Sequence, residues 1–266
     1  MSRTRPTIHD LRAMKGKRQL TMLRVMTLDE AAAAEKAGID IVSIPPTLLL
    51  DPQYRDAAPS LFSMPGENFY EIGTADDFVR WAFSMYKAGA DAVYCSAGYA
   101  TIKRMADEAV PVIGHVGLIP SRRTWTGGWK AVGKTAESAM EIMTAVRNLE
   151  AAGAFGAEIE VVPVEVAEAI SKRTSLFLLS MGAGAGCDAQ YLFAEDVLGQ
   201  NRGHMPRHSK VYRNFAAEFD RLQAERVAAF SEFATDVESG AFPEDRHLVH
   251  MDAVELDRFI KAIDRS

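Results

Sequence analysis

The sequence predicts a single (β/α)8 barrel, and three observations lead there. About seven short apolar runs of strand type alternate with helical segments. Strands separated by helices imply parallel pairing with right-handed crossovers. The chain of 266 residues shows no shift in composition that marks a domain boundary, and about 250 residues is usual for one such barrel. An open doubly wound sheet is the alternative. The expected organisation is one barrel domain over residues 1–266, with an N-terminal capping helix and a C-terminal helical extension.

In order along the chain, Thr7 to Lys17 reads as a short helix with Thr7 as N-cap and Asp10 three residues on. Leu20 to Met26 is an apolar strand. Thr27 or Asp29 caps a helix from Glu30 to Ala37, and Gly38 ends it where a left-handed residue is wanted. Ile39 to Ile44 is the second strand, stopped by Pro45-Pro46. The segment Thr47 to Ser60 carries Pro52 and Pro59 and no helical pattern. Leu61 to Met64 is a short third strand. Thr74 with Asp77 opens a helix from Ala75 to Ala88, closed by Gly89. Asp91 to Ser96 is strand-like, Thr101 to Ala109 helical, and Val110 to Ile113 strand-like again. Ala136 to Ala152 is helical, with Ile142, Val146 and Leu149 at three- and four-residue intervals. A strand from Glu158 to Val162 precedes a helix from Val164 to Arg173, and Ser175 to Ser180 is the next apolar strand. Tyr191 to Leu198 reads as a short helix, and Phe215 to Glu238 as a long amphipathic one.

Composition narrows the function classes. A hydrophobic share of 48% with 25% charged residues suits a globular core. The net charge of -6 leaves no basic footprint of the kind nucleic-acid binding requires. Two cysteines, Cys95 and Cys187, make no disulfide framework, so a reducing compartment is expected. The first residues are polar and no run approaches the roughly 20 apolar residues that span a bilayer, so a cytoplasmic protein without membrane association is expected.

In a barrel the residues after each strand meet at one face, which would gather His115, Glu160, Ser96 and the loop Gly182 to Gly186. His115 lies in Gly114-His115-Val116-Gly117-Leu118-Ile119-Pro120, where glycines let the backbone approach a ligand. A histidine there acts on a small bound molecule, or is a core histidine with a backbone partner. In Ala157-Glu158-Ile159-Glu160-Val161 the two glutamates fall on one face of the strand. Glu160 in an apolar run is a candidate general base whose pKa burial raises, with Glu158 the competing choice if the register differs. A carboxylate bonded to backbone amides is the bland reading. The loop Gly182-Ala183-Gly184-Ala185-Gly186 offers backbone N–H groups to an anion or is simply a turn. Arg122, Arg123, Trp125, Trp129 and Lys130 suit an anionic or planar ligand, or a subunit contact. His204 and His208 have metal spacing, but Gly203 and Pro206 argue against the helix it needs. His247 and His250 read as solvated, and Cys95 as a buried, inert thiol.

These motifs carry a resemblance. The histidine loop with Gly127-Gly128-Trp129-Lys130 and Gly133-Lys134, the run Ile159-Glu160-Val161-Val162-Pro163-Val164-Glu165, and Met181-Gly182-Ala183-Gly184 with Asp188-Ala189-Gln190 are similar to segments of the ketopantoate hydroxymethyltransferase family. Gly203-His204-Met205-Pro206-Arg207 and Glu238-Ser239-Gly240-Ala241-Phe242-Pro243 match too. The likeness runs from about Thr7 to about Pro243. It implies a (β/α)8 barrel assembled as a homo-oligomer, a symmetric decamer. It also implies transfer of a hydroxymethyl group from methylenetetrahydrofolate to carbon 3 of 3-methyl-2-oxobutanoate, with magnesium chelating the 2-oxo acid. By position Glu160 would transfer the proton and His115 would contact the oxo acid.

The first half departs from that pattern. The second strand reads Val42-Ser43-Ile44-Pro45-Pro46 where the family has a Gly-Asp-Ser. The third-strand aspartate is Ser63, and the fourth-strand lysine and glutamate fall on Tyr94 and Ser96. The helix between the second and third strands is expected to be missing. Ile44, Ser63 and Ser96 cannot hold magnesium, a hard cation that wants carboxylate and water oxygens. The sequence therefore predicts a divergent member with altered metal-site positions, without a metal, in which hydrogen bonds from Tyr94, Ser96 and Arg24 stabilise an enolate. The expected site is catalytic Glu160 and His115, with Ser43, Ser63, Tyr94, Ser96, Gly182 and Gly184 around a small 2-oxo acid. The expected reaction is aldol-type C–C bond formation or cleavage next to the carbonyl. A metal-independent relative with another carbonyl substrate, or a non-catalytic binding or assembly barrel, is the alternative, and a metal-dependent lyase whose ligands lie at other, unrecognised residues is a third.

Overall fold

A computed structural model of the chain describes residues 3–66 and 72–265. The chain divides into two compact units, Met1–Arg213 and Asn214–Ser266. The first begins with α1 (Ile8–Met14), then β1 (Leu20–Arg24), α2 (Leu28–Ala37) and β2 (Ile41–Ile44). Two single-turn helices follow, α3 (Pro46–Leu49) and α4 (Tyr54–Ala57), then β3 (Phe62–Pro65), α5 (Ala75–Lys87), β4 (Val93–Tyr94) and α6 (Tyr99–Asp107). Next come β5 (Val112–Gly117), α7 (Ala136–Ala151), β6 (Gly156–Glu160) and α8 (Val164–Ser171), and the unit closes with β7 (Phe177–Met181), β8 (Ala189–Phe193) and α9 (Ala194–Leu198). Threonines place the helix starts. Thr7, Thr27, Thr74 and Thr135 each accept a backbone N–H three residues on, which satisfies a donor the helix leaves free.

All eight strands form one sheet in the order β3-β2-β1-β8-β7-β6-β5-β4. Each neighbouring pair in that order is parallel, with register such as Met22 opposite Ile41 and His115 opposite Glu158. The ends of that order also meet: Asp91 N donates to Ser63 O at 3.0 Å, and Gly66 bridges Tyr94. The sheet thus nearly closes on itself with helices around it, the (β/α)8 barrel that the alternation predicts.

Strand alternation splits the core in two. Met22, Ile41, Met64, Ile113, Leu179 and Tyr191 fill the barrel. Val42, Val93, Val116, Ile159 and Leu178 face outward and pack under Ala31, Ile102, Val146 and Ile170 of the helices. Each such side chain removed from water contributes about 1.5–3 kcal/mol, so the alternation fixes which face turns inward.

Three stretches differ from the sequence reading. Residues 189–193 form a strand, and only Ala194–Leu198 is helical. Pairing on both sides, to β7 and to β1, overrides the local helical pattern there. β5 runs on through Gly117, so His115 sits within the strand. The proline-bearing segment after β2 carries two helical turns, and α4 has a definite structural task. Arg55 donates to Leu61 O and Ser63 Oγ at 3.1 Å each, to Gly89 O at 2.6 Å and to Asp91 Oδ2 at 3.1 Å. One guanidinium thereby ties β3 to the approach of β4 at the barrel's seam. Arg55→Ala is expected to cost about 2–4 kcal/mol, because it leaves buried acceptors without a donor. Urea unfolding measures this; a loss below about 0.5 kcal/mol would remove Arg55 from the seam.

The second unit holds α10 (Phe215–Ser239) and α11 (Ala253–Ile263), capped by Asn214 and Asp252. Phe230, Phe233, Val254 and Phe259 are among its exposed apolar side chains. Among the described residues, no helix is long and apolar enough to cross a membrane.

Candidate active site

The inward positions at the C-terminal ends of the strands define the site. On β6, Ala157 and Ile159 face the helices, so Glu158 and Glu160 both point into the barrel. On β5 the inward residue opposite Glu158 is His115. The His115 side chain is 1% exposed, Glu158 5% and Glu160 10%, so three ionisable groups share one nearly dry space. His115 Nε2 lies 3.1 Å from Glu160 Oε2 and 4.0 Å from Glu158 Oε1. Nε2 has no hydrogen-bond partner, although the other ring nitrogen, Nδ1, bonds the Tyr94 hydroxyl. That hydroxyl also bonds the Glu158 carboxyl.

Electrostatics follow from burial. Desolvation pushes the Glu158 carboxyl up to about 7, against the pull of His115, and the negative charge of Glu160 adds to the rise. Desolvation alone raises Glu160 to about 7. His115 is held below its ordinary value by the same cause, opposed by Glu158. In metal-free folded protein the two carboxyls keep their protons to about pH 7, whereas their ordinary value is 4.5. The folded state binds more protons between those limits, so its stability falls as pH rises from about 4.5 to about 7 and then levels. Thermal melts of EDTA-treated protein are expected to decline across that window, and a Glu158→Gln/Glu160→Gln variant to lack the decline. Stability that rose through the window would contradict the burial of both groups.

The other sequence-derived residues separate into those at the site and those away from it. Ser43 is inward on β2 and accepts from Arg24 Nη1 at 3.4 Å. Tyr94 reaches His115, and Ser96 lines a cleft of about 520 Å³ with His115, Tyr99, Arg122, Lys130 and Lys134. Ser63 faces outward: its hydroxyl meets Tyr54 Oη at 2.6 Å and Arg55, so it serves the seam. The glycine loop is folded on itself, with Ser180 Oγ and Gln190 Nε2 donating to Gly184 O at 2.8 and 2.6 Å. Gly182 lies against the His208 ring. His204 and His208 lie in coil between α9 and α10. Trp125 is 89% exposed and Arg123 stacks over Trp129 at 5.6 Å. A second cleft, of about 550 Å³ at the N-terminal strand ends beside Lys15 and Asp188, holds none of this chemistry.

A barrel with a buried histidine–carboxylate cluster at the C-terminal ends of its strands is an enzyme of the (β/α)8 class, since catalytic groups of such barrels gather at that face. The sequence model of ketopantoate hydroxymethyltransferase matches residues 61–245. The chain belongs to the ketopantoate hydroxymethyltransferase family. The 3-methyl-2-oxobutanoate hydroxymethyltransferase of Cenarchaeum symbiosum (strain A) is 35% identical over 191 residues, covering 71% of this chain and 70% of that protein. The enzyme of the same name from Thermotoga neapolitana is 31% identical over 264 residues, covering 91% and 95%. Among solved structures, oxaloacetate acetylhydrolase with the inhibitor 3,3-difluorooxalacetate aligns with a TM-score of 0.55 at 11% identity, covering 90% of this chain and 98% of that one. The structure of 2,3-dimethylmalate lyase gives 0.52 at 14%, covering 98% and 99%. At these identities the two structures speak for the barrel fold alone.

The expectation of a divergent member whose metal site is replaced by Ile44, Ser63 and Ser96 is overturned. His115, Glu158 and Glu160 each offer a ligand atom, and these lie within 4.8 Å of one another. A potential metal-binding triad is intact on β5 and β6. The ligands are expected on the second, third and fourth strands, with Glu158 only a register alternative to Glu160; the triad lies instead on β5 and β6. The available signal was the Glu-x-Glu alternation beside a histidine strand: two inward carboxylates in a barrel must find a cation or a proton.

Proposed function

We propose that the protein catalyses proton transfer at the carbon next to the carbonyl of a small 2-oxo acid, coupled to aldol-type bond formation or cleavage at that carbon. The observation that carries this reading is the buried His115–Glu158–Glu160 cluster at the open end of the barrel. The relatives' name makes 3-methyl-2-oxobutanoate the first substrate to try. Glu160, at the strand's end, takes the proton from carbon 3 on Oε1, the carboxylate oxygen not turned to His115 Nε2. The electrons of that C–H bond become the C2–C3 double bond, and the carbonyl oxygen becomes an enolate oxygen. Ser96 serves as a hydrogen-bond donor at the enolate side, and Arg24 with Ser43 holds the substrate carboxylate. A divalent cation held by His115, Glu158 and Glu160 would supply Lewis-acid stabilisation of the enolate. The enolate carbon then attacks a one-carbon electrophile, or is left behind when such a bond breaks.

Isothermal titration with 3-methyl-2-oxobutanoate, and with the corresponding 2-hydroxy acid as control, tests the substrate class. Saturable binding of the oxo acid, weakened about 10-fold or more in Arg24→Met, is the expected result. Equal, Arg24-independent heats for both acids would count against it. Exposed apolar residues of α10 and α11 support assembly into a homo-oligomer, which light scattering of the full chain would reveal.

A further inference from the structure

Tyr94 occupies one ring nitrogen of His115: its hydroxyl bonds Nδ1 and also the Glu158 carboxyl. That contact turns the ring so that Nε2, in a side chain 1% exposed, faces Glu160 Oε2 at 3.1 Å and Glu158 Oε1 at 4.0 Å. Three electron-rich atoms converge without a hydrogen bond to Nε2. About 3 Å is also the spacing between neighbouring ligand atoms of an ion with bonds near 2.1 Å.

From this arrangement we infer that His115, Glu158 and Glu160 form a site for a first-row transition dication of the manganese, iron, cobalt and zinc class. An imidazole with two carboxylates suits those ions, whereas magnesium prefers an all-oxygen shell and keeps its waters. The site lies on β5 and β6, apart from the positions on the second to fourth strands that the family resemblance implies. Tyr94 is its positioning residue: by holding Nδ1 it aims Nε2, as outer partners of metal-bound histidines do. Of the three, His115 lines the cleft beside Ser96. Only the use of that cleft by a 2-oxo acid rests on the proposed function; the binding of the ion does not.

The test uses the full chain, stripped with EDTA, dialysed and titrated with Co²⁺ without substrate. Saturable uptake of about one ion per chain, with visible absorption bands of a histidine-ligated site, is expected. Millimolar Mg²⁺ should leave the bands in place. His115→Gln and Glu158→Gln should weaken binding about 100-fold or more, while Glu168→Gln, an exposed residue, should not change it. Tyr94→Phe should weaken binding about 10- to 100-fold and move the bands with stoichiometry kept. Circular dichroism and melting confirm that each variant is folded. No saturable uptake, uptake undisturbed in His115→Gln, or displacement by Mg²⁺ would each overturn the inference. Uptake without any turnover of 2-oxo acids would leave the metal site standing and count against the proposed function alone. EDTA-resistant turnover without uptake would do the reverse.

Discussion

Glu160→Gln is expected to slow proton exchange at carbon 3 of 3-methyl-2-oxobutanoate by about 10²–10⁴-fold, the usual contribution of a positioned general base. The substitution keeps the volume and removes the basic oxygen. In EDTA-treated protein, where burial raises Glu160 to about 7, the residual exchange should climb with pH through that value as the carboxylate forms, and the variant should lack the limb. Fold is preserved on the same argument: a neutral amide in a nearly dry barrel costs less than a carboxylate above pH 7. The variant should therefore melt at or above the parent temperature when metal-free. An exchange rate within about 3-fold of the parent would move the base elsewhere, with Glu158 next in line.

Gly117→Ala is expected to be the most damaging single-methyl change near the site. Gly117 ends β5 at φ +88°, and a Cβ there would stand 2.3 Å from Glu160 O and 2.9 Å from Val162 Cγ2. The same carbonyl accepts from Leu118 N at 2.9 Å. A left-handed alanine costs about 1–2 kcal/mol and the backbone clash adds to it, for a total of about 3 kcal/mol. For a chain of this size that corresponds to a melting temperature lower by about 6–12 °C. Relief of the clash must move the Glu160 backbone, and misplacement of a catalytic group by about 1 Å costs about 100-fold in rate. Calorimetry and exchange kinetics on the same preparation would read both effects. A variant that melted within about 1 °C of the parent would show that β5 and β6 are not locked at this point.

Much of this was legible in the sequence where one local cause dominates. The threonine caps and Gly38 mark helix ends because they answer specific backbone groups. The Glu158–Glu160 alternation told which face they share, and the barrel shows that this face is the interior. Three things were not legible for physical reasons. β8 owes its form to partners on both sides, and Ala189–Phe193 has no extended pattern strong enough to announce it. Ser63 is outward because β3 turns that face to α4, a matter of register that its chemistry does not reveal. The potential metal triad is not legible because resemblance assigns metal positions strand by strand. The convergence of His115 with Glu158 depends instead on the pairing of β5 with β6, long after the strands themselves are drawn.

The central claim is that the cluster at the open end of the barrel activates the carbon next to a 2-oxo acid's carbonyl. Proton NMR of 3-methyl-2-oxobutanoate in deuterium oxide tests it most directly, with the protein as purified, with EDTA, and with added Mn²⁺ below the line-broadening range. The expected result is loss of the carbon-3 proton signal on adding protein, suppressed by EDTA and restored by the transition ion. A carbon-3 signal that persists with protein and ion together would contradict it.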